Sequence, residues 1–158
     1  MPTFLKLIIS ITVSLSAGVI GAFFTTPSVK AWYPTLLKPS FNPPNWLFGP
    51  VWTLLYILMG IALFLVWNAP GANEEQKNNA MTIFFIQLAL NTLWSIVFFG
   101  MHSIVGGLFV ILFLSSFIIW TTVCFMLISK TAGWLMAPYI LWVSFATVLN
   151  AAIWKLNK

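Results

Sequence analysis

The sequence lacks most of the side chains on which enzyme chemistry usually depends. Its 158 residues contain no arginine and no aspartate, and only one cysteine, one histidine and two glutamates. A Ser-His-Asp triad would have no acid, and a zinc site would lack enough ligands of the usual types. Glu74 and Glu75 lie in a polar stretch, where we expect a hydrated charge pair rather than catalytic carboxylates. We therefore predict no conventional catalytic residue and no metal site, and the lone Cys124 excludes an intramolecular disulfide.

Charged residues of both signs are scarce. They make up 6% of the chain, whereas 61% of the residues are apolar, and the mean hydropathy is +1.00. A water-soluble domain could not cover its surface with so few charges. The net charge of +5 comes from dispersed lysines without the basic cluster that follows phosphates, so nucleic acid is not an expected partner. The expected partner is the lipid membrane, with lysines flanking the bilayer.

Five apolar stretches are long enough to cross a bilayer, which takes about 20 helical residues. The uncharged sequence that follows the polar linker 68–78 is long enough for two spans, and glycines around His102 mark the fold-back between them. We predict spans at about 5–26, 45–67, 79–100, 104–128 and 132–154, with a loop at 27–44. The chain is thus predicted to be one all-α integral membrane domain, residues 1–158.

The first apolar stretch has a second interpretation, as a secretory signal, because Lys6 precedes it and small residues occur near Ala17 and Gly21. The stretch continues through Phe24, which favours a membrane span. Its small residues suit close helix packing, and packing within the chain is favoured over a dimer seam. Lysines are nearly balanced between the two sides of the membrane, and their slight excess favours a cytoplasmic C-terminus.

Aromatic side chains are abundant, with nine Trp, fifteen Phe and three Tyr. Helical spacing places several of them beside polar residues on single faces of spans two, three and five. These faces comprise Trp52 and Tyr56; Gln87, Asn91 and Trp94; and Tyr139, Trp142 and Ala146. Such faces suit a pocket for a planar apolar molecule with a few polar anchors. Alternatively, the polar residues only join helices and the tryptophans lie in interfacial belts, and periodicity leaves both interpretations open.

Several motifs are distinctive in both sequence and spacing. Trp32-Tyr33 is followed by Leu37-Lys38-Pro39, by Asn42-Pro43-Pro44 and by FGPVWTLLY at 48–56. The blocks QLALNTLW at 87–94 and FATVLN at 145–150 come later in the chain. Together these motifs resemble the tryptophan-rich sensory protein and translocator protein family (peripheral-type benzodiazepine receptors), in its bacterial form, over essentially the whole chain.

The resemblance implies a five-helix bundle whose ligand cavity is capped by the loop between helices 1 and 2. It implies a receptor, sensor or carrier in the bacterial cell membrane, linked to tetrapyrrole-dependent and stress regulation. The implied ligands are porphyrins, such as protoporphyrin and haem-related tetrapyrroles, and other flat apolar molecules, including sterols and benzodiazepine or isoquinoline carboxamide drugs. The porphyrin would be a ligand and not a fixed cofactor, and a homodimer is left open.

By matching motif, the resemblance assigns Trp52, Gln87, Asn91, Trp94, Tyr139, Trp142 and Ala146 to the pocket, beside Tyr56 on the same face as Trp52. It assigns Trp32, Tyr33 and Pro44 to the lid. One departure concerns sterols, because Ala151 and Ala152 stand where animal relatives carry a tyrosine-containing sterol motif, which argues against cholesterol at that site.

Two other functions are weighed against ligand binding. A membrane enzyme that promotes light-dependent porphyrin breakdown would use Trp52 and Trp142 as its redox-active residues. A small-molecule exporter ranks lower, because the sequence has neither inverted repeats nor a coupling charge within its spans. For a tetrapyrrole, Lys30 or Lys38 is the candidate partner of the carboxylates.

Overall fold

The computed structural model describes all 158 residues and contains helices but no strands. Five helices are long and apolar enough to cross a membrane: α1 (Thr3–Ala31), α2 (Asn45–Trp67), α3 (Glu74–Gly100), α4 (Ile104–Ile128) and α5 (Lys130–Leu156). This confirms the prediction of an all-α integral membrane protein with five spans.

The first helix is longer than its predicted span, because it does not end at Pro27. It continues to Ala31 and is followed by a 3-10 turn at Tyr33–Thr35, so the loop to α2 occupies residues 32–44 rather than 27–44. Pro27 has no N–H for the preceding turn, but membrane helices tolerate proline when neighbouring hydrogen bonds persist. Beyond it, the Trp32 N–H donates to the Ser28 carbonyl at 2.9 Å.

The third helix begins before its predicted span, at Glu74, within the stretch interpreted as a polar linker. The Asn73 side chain caps it by accepting a hydrogen bond from the Glu75 N–H at 2.8 Å. Glutamates in the first turn complement the helix dipole, and Lys77 pairs with Glu74 at 2.9 Å. At its other end the helix widens into a π-helical turn, Ile96–Gly100. This last turn carries Phe98 and Phe99 into the bundle, where both are buried.

The fifth helix is interrupted at Met136, which separates the segments Lys130–Leu135 and Ala137–Leu156. Pro138 accounts for the break because it cannot donate to the carbonyl of the preceding turn. α2 instead runs through Pro50 without interruption. Gly49 precedes that proline, and without a Cβ it avoids the clash that disfavours helix before proline.

The helices form a ring in the order α1, α2, α5, α4, α3. α1 and α2 approach most closely at Gly60, where an added Cβ would lie 2.6 Å from the Ile11 Cα and 3.0 Å from the Ser10 carbonyl oxygen. Nearer the 32–44 loop a cavity separates the two helices, and a Cβ on Gly49 would meet no other part of the bundle within 4 Å. The pair therefore forms a V that opens towards the loop.

Candidate ligand-binding site

A cavity of about 390 Å³ lies between α1 and α2, and α3 forms its back wall. We call it the α1–α2 cavity. Its volume lies within the range of roughly 300–1,000 Å³ typical of small-molecule sites. Aromatic side chains of α2 and α3 line one side, and the facing side of α1 is made largely of small residues. Its lining residues include Gly18, Val19, Ala22, Thr26, Lys30, Phe48, Trp52, Thr53, Tyr56, Trp94 and Phe99.

Trp52 lies at the centre of the aromatic wall. Its ring is 5.8 Å from that of Tyr56 and 6.4 Å from that of Trp94, with interplanar angles of 31° and 33°. A third neighbour, Tyr139, meets it edge-on at 6.2 Å. Distances of this kind are typical of favourable aromatic packing, and the rings of Trp52, Tyr56 and Trp94 all line the cavity. This wall is suited to a planar apolar molecule.

A second, much smaller space lies between this aromatic wall and α5. We call it the inner compartment, and its volume is about 20 Å³. Trp52 and Trp94 line both spaces, whereas Trp142 and Ala146 line only the inner compartment. The indole N–H of Trp142 is buried and has no hydrogen-bond acceptor. Buried tryptophans usually have one, so this N–H is free to donate to a ligand oxygen.

Three of the residues predicted to bind ligand, Gln87, Asn91 and Tyr139, line neither space and bond to one another instead. The Tyr56 hydroxyl donates to Asn91 Oδ1, and Asn91 Nδ2 donates to the Tyr139 hydroxyl at 2.8 Å. Tyr139 in turn donates to Gln87 Oε1 at 2.9 Å. This buried polar network joins α2, α3 and α5 and satisfies amides that would be costly in the membrane interior. Ligand binding by these three residues stays a prediction.

The 32–44 loop covers the inner compartment mainly through Tyr33, whose side chain is 2% exposed. Tyr33 packs against Phe48 and Phe99, and its hydroxyl donates to Asn42 Oδ1 at 2.6 Å. Trp32 lies farther out, where it stacks on His102 at 4.4 Å. Pro44 is exposed and precedes the first residue of α2, so it sets where the helix begins.

The loop is also held by two polar side chains. Lys38 Nζ donates to the carbonyls of Tyr33 and Leu36, at 2.9 and 2.7 Å. At the C-terminus, Asn157 accepts from the Leu37 N–H at 2.9 Å and donates to the Leu37 carbonyl at 2.8 Å. Of the two lysines considered for ligand carboxylates, Lys38 is therefore engaged within the loop, and Lys30 lines the α1–α2 cavity.

The burial of Tyr33 makes the loop sensitive to alkaline pH. Burial raises the pKa of the Tyr33 phenol from 10.0 to about 12, so the closed loop favours the neutral form. We expect this stabilisation to be complete below pH 10 and to be lost as pH rises to about 12. Acrylamide quenching of the tryptophan fluorescence should increase across that interval, as Trp32 in the loop becomes accessible.

Tyr33→Phe is the control for this transition. The variant keeps the buried ring and removes only the phenol hydroxyl, so the difference between the two proteins reports on Tyr33. An identical alkaline step in the phenylalanine variant would contradict the assignment.

Several residues that the sequence analysis did not single out contribute to the site. Phe48 and Phe99 line both spaces, and Gly18 and Ala22 form the α1 side of the cavity. The small residues of α1 were interpreted only as packing positions, which Gly21 illustrates, because a Cβ on it would lie 3.1 Å from Ser95 Oγ. In the structure the same stripe therefore both packs the helix and leaves room for the cavity. No group of three or more His, Cys, Asp or Glu side chains comes together to hold a metal ion.

Comparison with known proteins shows extensive similarity. Residues 10–155 match the model of the TspO/MBR family. The Tryptophan-rich protein TspO of Archaeoglobus fulgidus is 47% identical over 153 residues, 97% of either chain. The Tryptophan-rich sensory protein of Cereibacter sphaeroides is 40% identical over 126 residues, 80% of this chain and 77% of that one. The Translocator protein of Homo sapiens is 37% identical over 138 residues, 87% of this chain and 82% of that one.

Proposed function

The chain belongs to the TspO/MBR family, and we propose that it is a membrane receptor or sensor that binds a flat, largely apolar ligand of the porphyrin class between α1 and α2. The observation that carries this proposal is the cavity of about 390 Å³ whose wall is formed by Trp52 and Trp94. An aromatic wall of this kind stacks on any planar π-system, whatever its substituents.

The cavity also contains a partner for an acidic ligand. Lys30 lines it near the loop end, and the chain has no arginine that could compete for the same role. A tetrapyrrole with carboxylate side chains would place its macrocycle against Trp52 and its acid groups towards Lys30 and the membrane surface. The charge pair is weak in water but strengthens as the surroundings become less polar.

A dark titration with protoporphyrin tests the proposal. The purified full chain in mild detergent is titrated while the porphyrin absorption band is followed. We expect saturable binding, and Trp52→Leu should weaken it by roughly 5- to 150-fold, because stacking on one aromatic ring contributes about 1–3 kcal/mol.

The matched control is Trp120→Leu, because Trp120 is an exposed tryptophan on the outer face of α4. Its replacement should leave affinity unchanged. Equal loss of affinity in both variants would mean that porphyrin only adsorbs to exposed aromatic surface. Absence of saturable binding by the unaltered protein would refute the proposed function.

The same titration under illumination tests for porphyrin breakdown as a second function. Trp52 lines both spaces and contacts Trp94 and Tyr139. If Trp52 gave an electron to the photoexcited porphyrin, which would be reduced, the indole radical cation left behind would have aromatic neighbours to share its charge. A new absorption product that needs light and is lost in Trp52→Phe would support an enzyme. An unchanged porphyrin spectrum under light would support a receptor or sensor alone.

A further inference from the structure

We propose that the ligand enters and leaves the α1–α2 cavity sideways, through the opening between the two helices, and exchanges directly with the lipid bilayer. This rests on the proposed function and adds a constraint on the ligand: it is an amphiphile that dissolves in the bilayer, with its acidic end at the level of Lys30. Entry from water through the 32–44 loop is the alternative that the structure disfavours.

The mouth of the cavity lies on the outer surface of the bundle. Val19 lines the cavity and is 59% exposed, and Ala22, Thr26 and Thr53 are exposed lining residues as well. The outer surface of a membrane-spanning bundle faces lipid. Along α2 the cavity extends from Tyr56 to Asn45, which at about 1.5 Å per residue spans roughly 16 Å. The cavity therefore extends along about half of a hydrocarbon core some 30 Å thick.

The route through the loop is closed by specific bonds. Tyr33, a residue of the loop, is almost fully buried against the bundle, and its hydroxyl donates a hydrogen bond to Asn42. Asn157 makes two hydrogen bonds to the Leu37 backbone, which ties the loop to the C-terminus of α5. A ligand that passed through the loop and the inner compartment would have to break these bonds, whereas a ligand that enters the α1–α2 cavity from lipid breaks none.

The lateral opening is a consequence of how α1 and α2 pack. The contact of Gly60 with Ser10 and Ile11 holds one end of the pair together. Farther along, Gly18 leaves just enough room for the Tyr56 ring, because a Cβ on Gly18 would lie 2.6 Å from it. Beyond that level the helices diverge, so the opening needs no helix movement to form.

Exchange kinetics distinguish the two routes. The full chain is reconstituted in phosphatidylcholine vesicles, and protoporphyrin is added from porphyrin-loaded phosphatidylcholine vesicles in the dark. Ala22→Phe places a ring in the mouth of the cavity, and we expect it to slow association and dissociation by about tenfold or more. Asn157→Ala, which releases the loop, should leave both rates at the values of the unaltered protein.

The matched control is Ala89→Phe, the same substitution at an exposed position of α3 outside the cavity lining. It should exchange porphyrin at the unaltered rate. Unaltered rates in Ala22→Phe would overturn lateral entry, as would faster exchange in Asn157→Ala alone. A higher Kd in Ala22→Phe without slower association would also overturn it, since the ring would then disturb the site without obstructing the route to it. Absence of binding in every protein, the unaltered one included, would instead refute the proposed function.

Discussion

Replacing Gly60 with leucine is expected to prevent α1 and α2 from packing, so that little folded protein is recovered in mild detergent. Even the methyl group of alanine would lie 2.6 Å from the Ile11 Cα and 3.0 Å from the Ser10 carbonyl oxygen. Both are backbone atoms, so no side-chain rotation relieves the clash. The helices would have to separate at a point where their backbones are now in contact.

The expected loss of stability is large because backbone atoms, and not only side chains, have to move. Overpacking relieved by side-chain shifts costs about 1–3 kcal/mol, and we expect Gly60→Ala to lose at least that much despite a helix-propensity gain of about 1 kcal/mol. Gly60→Leu should lose more. Unfolding in sodium dodecyl sulfate, followed by circular dichroism, measures both variants.

Ala89→Leu serves as the control, because it adds the same side chain to an exposed position of α3. It should unfold at the same detergent concentration as the unaltered protein. If Gly60→Leu unfolded with that control, the close approach of the helices at Gly60 could not be what shapes the cavity.

The number of membrane helices could be predicted from sequence because lipid imposes a simple rule. Every backbone polar group must be bonded within the chain, so long apolar stretches become helices whatever their neighbours are. Helix ends follow local chemistry that hydropathy does not record. Pro27 was interpreted as the start of a loop although the helix runs through it, and the Asn73 cap starts α3 within a polar stretch interpreted as a linker.

The site could be predicted only in part. Helical periodicity identified faces, and three side chains on those faces, Trp52, Tyr56 and Trp94, line the α1–α2 cavity. The cavity lies between α1 and α2 because these two helices diverge from Gly60. Periodicity along a single helix does not show how two helices are placed relative to each other. The sequence likewise does not show which of Lys30 and Lys38 is available to a ligand carboxylate, because that depends on which side chain bonds to the loop carbonyls.

Asn91 shows why a polar residue on an aromatic face is ambiguous in sequence. An amide in a membrane helix either binds ligand or bonds to another helix, and both uses need the same residue on the same face. In the structure Asn91 accepts from Tyr56 and donates to Tyr139, and it is 1% exposed. Substitutions can separate the two roles.

We expect Asn91→Leu to lower the free energy of unfolding by about 1–2 kcal/mol, because the buried Tyr56 hydroxyl loses its acceptor while Tyr139 keeps its bond to Gln87. Tyr56→Phe removes the orphaned hydroxyl, so the double variant should be more stable than the sum of the two single losses predicts. Unfolding in sodium dodecyl sulfate measures all three variants, and strictly additive losses would contradict the bond.

Porphyrin titration of the double variant, Tyr56→Phe with Asn91→Leu, then decides what Asn91 does for the ligand. If the buried network only holds Tyr56 in place beside Trp52, the double variant should keep the affinity of the unaltered protein, because an aromatic ring still occupies position 56 and the wall is intact. If the double variant binds porphyrin more weakly than Tyr56→Phe alone after stability has recovered, the lost amide itself contacts the ligand, and the α1–α2 cavity extends through the aromatic wall towards Asn91 when porphyrin is bound. The second result would place Trp142, with its unpartnered N–H, within reach of the same ligand.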